Sequence, residues 1–160
     1  MGHRIFIAIN FSPATKTKLN RFRDQYFDLP ARWTKKENLH LTLVFIGYAN
    51  DEEVVEICRK TEDIAKNHQP FSLTLDRIVY GPPSSKKIKT PRMVWATGQP
   101  SKELAKLQMD LESAFFDKPG PKENQEISFK PHATLARLKQ WEFKKIDPEE
   151  IPQIDEEISL

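Results

Sequence analysis

The stretch His40-Leu41-Thr42-Leu43 occurs a second time, with one apolar exchange, as His132-Ala133-Thr134-Leu135. The chain has only four histidines, and two of them open this tetrad. Side chains alternate between the two faces of a β-strand, so residues i and i+2 point the same way. Each tetrad therefore predicts a strand with His and Thr on one face and two apolar residues on the other. Two such strands facing each other would place two imidazoles and two hydroxyls around one space.

The hydrophobic pattern around the tetrads predicts an α+β fold with antiparallel strands. The two halves look like variations on one unit, which suggests two lobes with a cleft between them. No linker separates the lobes, so residues 1–160 are expected to form a single domain. Strands are predicted at residues 4–11, 39–46, 71–80, 92–97 and 129–138, and Gly47 is expected to end the second of them. Helices are predicted at 13–29, 51–67 and 101–116. Polar loops are predicted at 84–90 and 117–125.

Composition places the chain among soluble globular proteins, with 38% apolar and 30% charged residues. No apolar run approaches the roughly 20 residues that span a bilayer, and the first apolar stretch is too short for a secretory signal. A single cysteine, Cys58, excludes an internal disulfide and fits the reducing cytoplasm. Residues 147–160 hold six acidic side chains and no Lys or Arg, so the remaining chain is basic. A basic body suggests a polyanionic partner such as nucleic acid, and an ordinary solvated surface is the alternative.

The paired tetrads are suited to metal-free acid–base chemistry on a phosphodiester. One neutral imidazole can accept a proton from water while a protonated one donates to the leaving oxygen, and the hydroxyls can bind the other phosphate oxygens. A single His-x-Thr is usually structural, but its recurrence favours catalysis. His3 is expected to be an exposed terminal residue and His68 to interact with a helix end. Packing is favoured over base stacking for the three tryptophans, Trp33, Trp95 and Trp141.

Three stretches resemble the 2H phosphoesterase superfamily, whose members carry two His-x-Thr motifs. They are residues 4–9 (RIFIAI), 31–43 (ARWTKKENLHLTL) and 129–137 (FKPHATLAR). Within the superfamily, the chain most resembles the bacterial and archaeal RNA 2′,3′-cyclic phosphodiesterases, also called 2′-5′ RNA ligases. The resemblance implies a bilobal fold in which two antiparallel sheets with flanking helices are related by a pseudo-twofold axis. The two motifs would then face each other across the cleft between the lobes.

The same resemblance implies metal-independent hydrolysis of RNA 2′,3′-cyclic phosphate ends to 2′-phosphates, with no cofactor. His40 would donate a proton to the leaving 3′ oxygen, and His132 would accept one from water. Thr42 and Thr134 would bind the phosphate. Arg137 matches the family's arginine after the second motif and would also bind substrate through the phosphate. Strict alternation from His132 puts it on the opposite face, so this role needs a twist or the end of the strand. The expected partners are RNA ends or nucleotides with a 2′,3′-cyclic phosphate, without a membrane, and the chain is expected to be a monomer.

Several alternatives remain open at this stage. The same residues would serve a 2′-5′ RNA ligase or a 2′,5′-oligonucleotide phosphodiesterase. A module that binds RNA or nucleotides without catalysis is a further alternative, but it would not require two proton-transfer groups. Family members usually continue with another strand and a tail, whereas this chain stops after a strand-like segment at 158–160. A naturally short chain and a truncated one both fit that departure.

Overall fold

The computed structural model describes residues 2–83, 90–116 and 129–157. Residues 84–89, 117–128 and 158–160, which hold most of the predicted loops and the strand-like end, lie outside the described residues. The elements are β1 (His3–Asn10), α1 (Pro13–Gln25), β2 (Ala31–Trp33), a 3₁₀ helix (Lys36–Asn38), β3 (His40–Ala49), α2 (Asp51–Lys66), β4 (Leu75–Gly81), β5 (Met93–Gly98), α3 (Lys102–Phe116), β6 (His132–Leu138), α4 (Gln140–Phe143) and β7 (Asp155–Glu157).

Local capping explains where the first two helices begin. Ser12 caps α1, because its side chain accepts a hydrogen bond from the Thr15 backbone N–H, and proline follows at the first helical position. At α2, the Asn50 side chain accepts from the Glu53 backbone N–H, and the Glu53 carboxylate accepts from the Asn50 backbone N–H. This reciprocal capping box satisfies two backbone donors at once.

The contacts divide the chain into two compact units. The first unit contains Met1–Ile9, Thr42–Leu73 and Pro100–Lys130. In it β1 lies beside β3, and α2 packs against α3. The Lys60 ammonium donates to the Ala114 carbonyl at 2.6 Å and lies 5.3 Å from the centre of the Phe115 ring. These contacts tie the two helices together.

The second unit contains Asn10–Leu41, Thr74–Gln99 and Pro131–Leu160. Its strands follow the order β6-β5-β4-β7, and the first two residues of β3, His40 and Leu41, lie beside β6. Strand β2 pairs with the far end of β6. The pairings of this unit are antiparallel, which confirms the α+β class with antiparallel strands. One face of this sheet carries the hydrophobic core, which α1 and α4 help to cover. The buried core residues are Leu19, Leu29, Leu39, Leu75, Ile78, Val94, Ala96, Ala133, Leu135, Ala136, Leu138, Phe143 and Ile154.

Four local predictions were wrong. The first helix does not continue to residue 29, because α1 ends at Gln25 and Tyr26 is its C-cap. Gly47 does not end β3, which continues to Ala49, because glycine accepts the positive φ of 103° that other residues avoid. Residues 71–74 are not part of β4, which begins at Leu75. Residues 129–131 precede β6 rather than forming its start. Within the described part of the chain, no helix is long and apolar enough to cross a membrane.

Candidate active site

The two tetrads begin β3 and β6 and share one pattern of burial. In each strand the histidine and the threonine are half-buried, whereas the apolar residues between and after them are buried. The patterns are identical over the first six residues of the two strands. The predicted alternation is therefore confirmed, with His40 and Thr42 on one face of β3 and His132 and Thr134 on one face of β6.

Antiparallel pairing of β3 with β6 brings both histidines to one face of the second unit. Leu41 lies opposite Ala133. Because the strands run in opposite directions, His40, which precedes Leu41, lies opposite Thr134, which follows Ala133. Opposite residues point to the same side of a sheet, and His132 shares the face of Thr134. His40 and His132 are thus diagonal neighbours on the two strands. The Cα atoms of such residues are typically about 7–8 Å apart.

The ring of His40 is oriented by the end of the 3₁₀ helix. Its Nδ1 lies 2.6 Å from the backbone carbonyl oxygen of Asn38. A carbonyl oxygen only accepts hydrogen bonds, so Nδ1 carries the proton and donates. Nε2 is then the ring nitrogen whose protonation distinguishes the neutral ring from the cation. The same Nδ1–H bond can persist when the ring is protonated, so His40 can deliver a proton from Nε2 without turning.

The ring of His132 is stacked on the indole of Trp95, with centroids 4.1 Å apart and an angle of 27° between the planes. On β4, Gly81 leaves room for this indole. A Cβ at Gly81 would lie 2.5 Å from Trp95 Cε3 and 2.6 Å from Cε2, closer than real contacts allow. The glycine therefore lets the indole lie against the β4 backbone, and the indole in turn supports the imidazole. The hydrophobic pattern of the sequence could not distinguish this supporting role of Trp95 from ordinary packing in the core.

The two threonines differ in how the structure places them. Thr134 is anchored through its backbone, because the Thr34 hydroxyl donates to its carbonyl oxygen at 2.9 Å. Its own hydroxyl lies 4.0 Å from the sulfur of Met93, a weak contact that leaves it able to donate to an anion. Thr42 follows His40 by two residues on β3 and is the first β3 residue that belongs to the other unit.

Arg137 does not follow the strict alternation predicted for it. From Thr134 to Ala136 strand β6 advances two residues, while its partner β5 advances only one, from Trp95 to Val94. The extra residue on β6 forms a β-bulge. A bulge changes which side the following residues face. Arg137 is therefore moved from the core face to the face of the histidines, and the sequence-based prediction of the opposite face was wrong.

Contacts at Met93 confirm this new orientation. Met93 is the β5 partner of Arg137, and Arg137 Nη1 donates to its sulfur at 3.5 Å. The hydroxyl of Thr134 approaches the same sulfur. Local periodicity could not reveal the bulge, because the bulge is defined by the pairing with another strand.

The other two histidines are paired with carboxylates in the first unit. His3 Nε2 lies 2.7 Å from Asp51, and both side chains are exposed. His68 Nε2 lies 2.9 Å from Asp110, which also binds Lys106. Neither has the strand position or the threonine neighbour of the two tetrads.

The face formed by His40, His132, Thr134 and Arg137 can transfer protons and bind an anion. It combines two imidazoles, a hydroxyl donor and a guanidinium. Among residues 2–83, 90–116 and 129–157, no three His, Cys, Asp or Glu side chains are close enough together to hold a metal ion.

Comparison with known proteins adds a family and a set of relatives. The model of the LigT-like phosphoesterases matches residues 9–90, slightly more than half of the chain and including the first tetrad. An RNA 2′,3′-cyclic phosphodiesterase of Thermotoga maritima is 27% identical over 158 residues, which cover 95% of this chain and 80% of the relative. The protein of the same name from Aquifex aeolicus is 22% identical over 146 residues, 90% of this chain and 75% of that one.

Solved structures show the same fold. A crystal structure of a Thermus thermophilus protein has a TM-score of 0.73 at 22% identity and covers 99% of this chain and 82% of its own. The structure of E. coli LigT in complex with 3′-AMP has a TM-score of 0.61 at 27% identity, with coverage of 86% and 73%.

Proposed function

The chain belongs to the LigT-like phosphoesterase family, and from that premise we propose that it is an RNA 2′,3′-cyclic phosphodiesterase. Membership confirms the predicted superfamily and the predicted enzyme class, a phosphodiesterase. The specific proposal is that the chain opens the cyclic phosphate at an RNA end to a 2′-phosphate. The observation that supports it best is the common face of His40, Thr134 and His132.

In the proposed reaction, a water molecule attacks phosphorus and the bond from phosphorus to the 3′ oxygen breaks. His132, held against Trp95, accepts the proton that water loses. His40 donates a proton from Nε2 to the departing 3′ oxygen, while its Nδ1–H stays on the Asn38 carbonyl. The product keeps the phosphate on the 2′ oxygen, and the two histidines have exchanged protonation states.

The hydroxyls of Thr134 and Thr42 are assigned to the phosphate oxygens that do not leave. Donors placed where negative charge develops stabilise the transition state more than the ground state. The proposal includes the two-lobed single domain, with the tetrads related by a pseudo-twofold axis across a cleft. It also includes a monomeric, cytoplasmic enzyme that needs no metal.

Product analysis on a labelled RNA ending in a 2′,3′-cyclic phosphate tests the function directly. We expect conversion to a 2′-phosphate. His40→Ala and His132→Ala should each lower the rate about 10²–10⁴-fold, the usual value of a general acid or base. Thr134→Ala and Thr42→Ala should lose less, since each removes one hydrogen bond and no proton-transfer group.

His3→Ala is the matched control, because it removes an exposed imidazole paired with Asp51 in the first unit. It should leave the rate unchanged. Near-normal turnover by folded His40→Ala or His132→Ala would contradict the acid–base assignment. RNA binding without turnover would favour the binding module instead. Joining of the cyclic end to a 5′-hydroxyl RNA, or cleavage of a 2′,5′-oligonucleotide in preference, would favour the other two enzymes.

A further inference from the structure

We propose that a basic surface on the 3₁₀ helix and on one side of α1 binds the backbone of an RNA chain whose cyclic end lies at the histidines. We call this surface the basic flank, and its cations are Lys16, Arg23, Lys35 and Lys36. The inference rests on the proposed function, and it names the part of the substrate beyond the reacting nucleotide. A nucleoside 2′,3′-cyclic phosphate lacks that part, so the basic flank would give the protein a preference for RNA chains.

The 3₁₀ helix lies directly beside the candidate active site. It connects β2 to β3, and both strands lie along one edge of β6 because β5 pairs with the other edge. Its last residue, Asn38, holds the ring of His40 through the backbone carbonyl oxygen. Lys36 comes four residues before His40, and four residues span at most about 14 Å even when fully extended. A phosphate bound at this helix can therefore belong to a nucleotide close to the reacting one.

The side of α1 that faces the 3₁₀ helix carries a row of hydrogen-bond donors. The Lys16 ammonium donates to the backbone carbonyl oxygen of Glu37 at 2.7 Å, so this side of α1 faces the 3₁₀ helix. Residues four and seven positions further along lie on the same side of an α-helix, and here they are Asn20 and Arg23. The row extends for about 10 Å at a rise of about 1.5 Å per residue. An ammonium has three donors, so Lys16 keeps two for a phosphate.

The positive charge of the basic flank is not neutralised by carboxylates. Three of its four cations are exposed, and Lys16 is half-buried. None of the four has an ion pair with a carboxylate in the described part of the chain. Helix α1 holds four basic side chains and one acidic one, and the 3₁₀ helix with its N-cap holds two basic and one acidic. Such a surplus on neighbouring elements is the electrostatic signature of a polyanionic partner.

The arrangement of these cations fits a chain of phosphates better than a single anion. The cations follow one another along two elements and do not converge on one point. Proteins that bind single-stranded nucleic acid use positively charged surfaces of this kind, which follow the backbone over several nucleotides. An RNA strand that leaves the site beside His40 meets the 3₁₀ helix first and then α1.

The test compares two double variants that remove the same amount of charge. Lys35→Gln/Lys36→Gln neutralises the basic flank at the 3₁₀ helix. Lys18→Gln/Arg21→Gln is the matched control, because at about 100° per residue these two side chains point roughly 140–160° away from Lys16 on α1. The two substrates are a short RNA ending in a 2′,3′-cyclic phosphate and a nucleoside 2′,3′-cyclic phosphate.

We expect the variant of the 3₁₀ helix to raise KM for the RNA roughly tenfold, because each exposed ion pair contributes up to about fivefold. Its kcat for the RNA should change little. Both constants for the nucleoside should stay the same, since that substrate does not reach the basic flank. The control variant should change neither substrate.

Binding provides a second readout that does not depend on turnover. The affinity for a short RNA ending in a 2′-phosphate should fall in Lys35→Gln/Lys36→Gln. The slope of log affinity against log salt should become shallower by about 1.4, at about 0.7 for each phosphate contact on a single strand. Arg23→Gln should reduce the slope by about 0.7 for an RNA long enough to reach α1, and should leave a dinucleotide unaffected.

Equal losses on both substrates would show that the two lysines act on His40 and not on the RNA, and would overturn the proposal. An equal loss in the matched control would also overturn it, because overall positive charge would then explain the binding. So would an unchanged salt dependence of RNA binding. Absence of hydrolysis by the unmodified protein would overturn the proposed function, while the binding measurements would still decide whether the basic flank holds phosphates.

Discussion

Replacing Gly81 with alanine should displace His132 and lower the rate of hydrolysis, although the added methyl group does not contact His132. The added Cβ would fall 2.5–2.6 Å from two atoms of the Trp95 indole, and ordinary contact between carbon atoms is about 3.5 Å or more. The backbone of β4 is held by its pairing with β5, so the indole must move by about 1 Å. We expect the imidazole of His132, which is stacked on the same indole with ring centroids 4.1 Å apart, to move with it.

A displacement of about 1 Å at a reacting group can cost roughly 10²-fold in rate. We therefore expect Gly81→Ala to lower kcat for a 2′,3′-cyclic phosphate by about 10- to 100-fold. Overpacking should also lower the free energy of unfolding by about 1–3 kcal/mol. Rates must be measured well below the unfolding temperature, so that loss of folded protein does not imitate loss of catalysis.

A double-mutant cycle with Trp95→Val separates the two effects. The three atoms nearest to a Cβ at Gly81 all belong to the indole. Without the indole, Gly81→Ala should therefore cost little in that background. Gly2→Ala is the control exchange, because its Cβ would meet Tyr48 at an ordinary 3.7 Å. Equal losses in both backgrounds, or normal turnover by Gly81→Ala, would refute the idea that the glycine positions His132 through the indole.

Three further outcomes are expected. The hydrolysis rate should pass through a maximum as pH is varied, because one imidazole must be neutral and the other protonated; a rate that only climbs with pH would leave the general acid without a role. Activity should survive EDTA, and loss restored by a divalent ion would contradict a metal-free mechanism. Burial raises the pKa of Tyr80 to about 12, so the unfolded chain loses this proton near pH 10 while the folded chain keeps it. Stability should therefore fall between about pH 10 and 12, less so in Tyr80→Phe, and chemical denaturation across that range with exposed Tyr48→Phe as control would check it.

Strong periodicity made the long elements predictable. The helix starts at Ser12 and Asn50 have the side chains that cap a helix, and both tetrads alternate as expected. The three-residue strand β2 was not predicted, because three residues are too few to show a period. It is defined by its pairing with β6.

The residue types of the candidate site could be predicted from the sequence, but the face of the sheet on which each side chain lies was harder to predict. His40 and His132 were found from the repeated tetrad. The face of Arg137 depends on a bulge that exists only in the pairing with β5. The support of His132 by Trp95 and Gly81 depends on contacts between three strands, which no local pattern contains.

Met93 influences how easily this face can be occupied. Its sulfur is the neighbour of both the Thr134 hydroxyl and the Arg137 guanidinium. A carboxylate at this position would compete with an incoming anion for the same two donors and would have to be displaced at considerable cost. A thioether is a weak acceptor, so the sulfur can orient the two donors through contacts that cost little to break. In the proposed function, a phosphate that binds these two donors would therefore displace only weak contacts to sulfur.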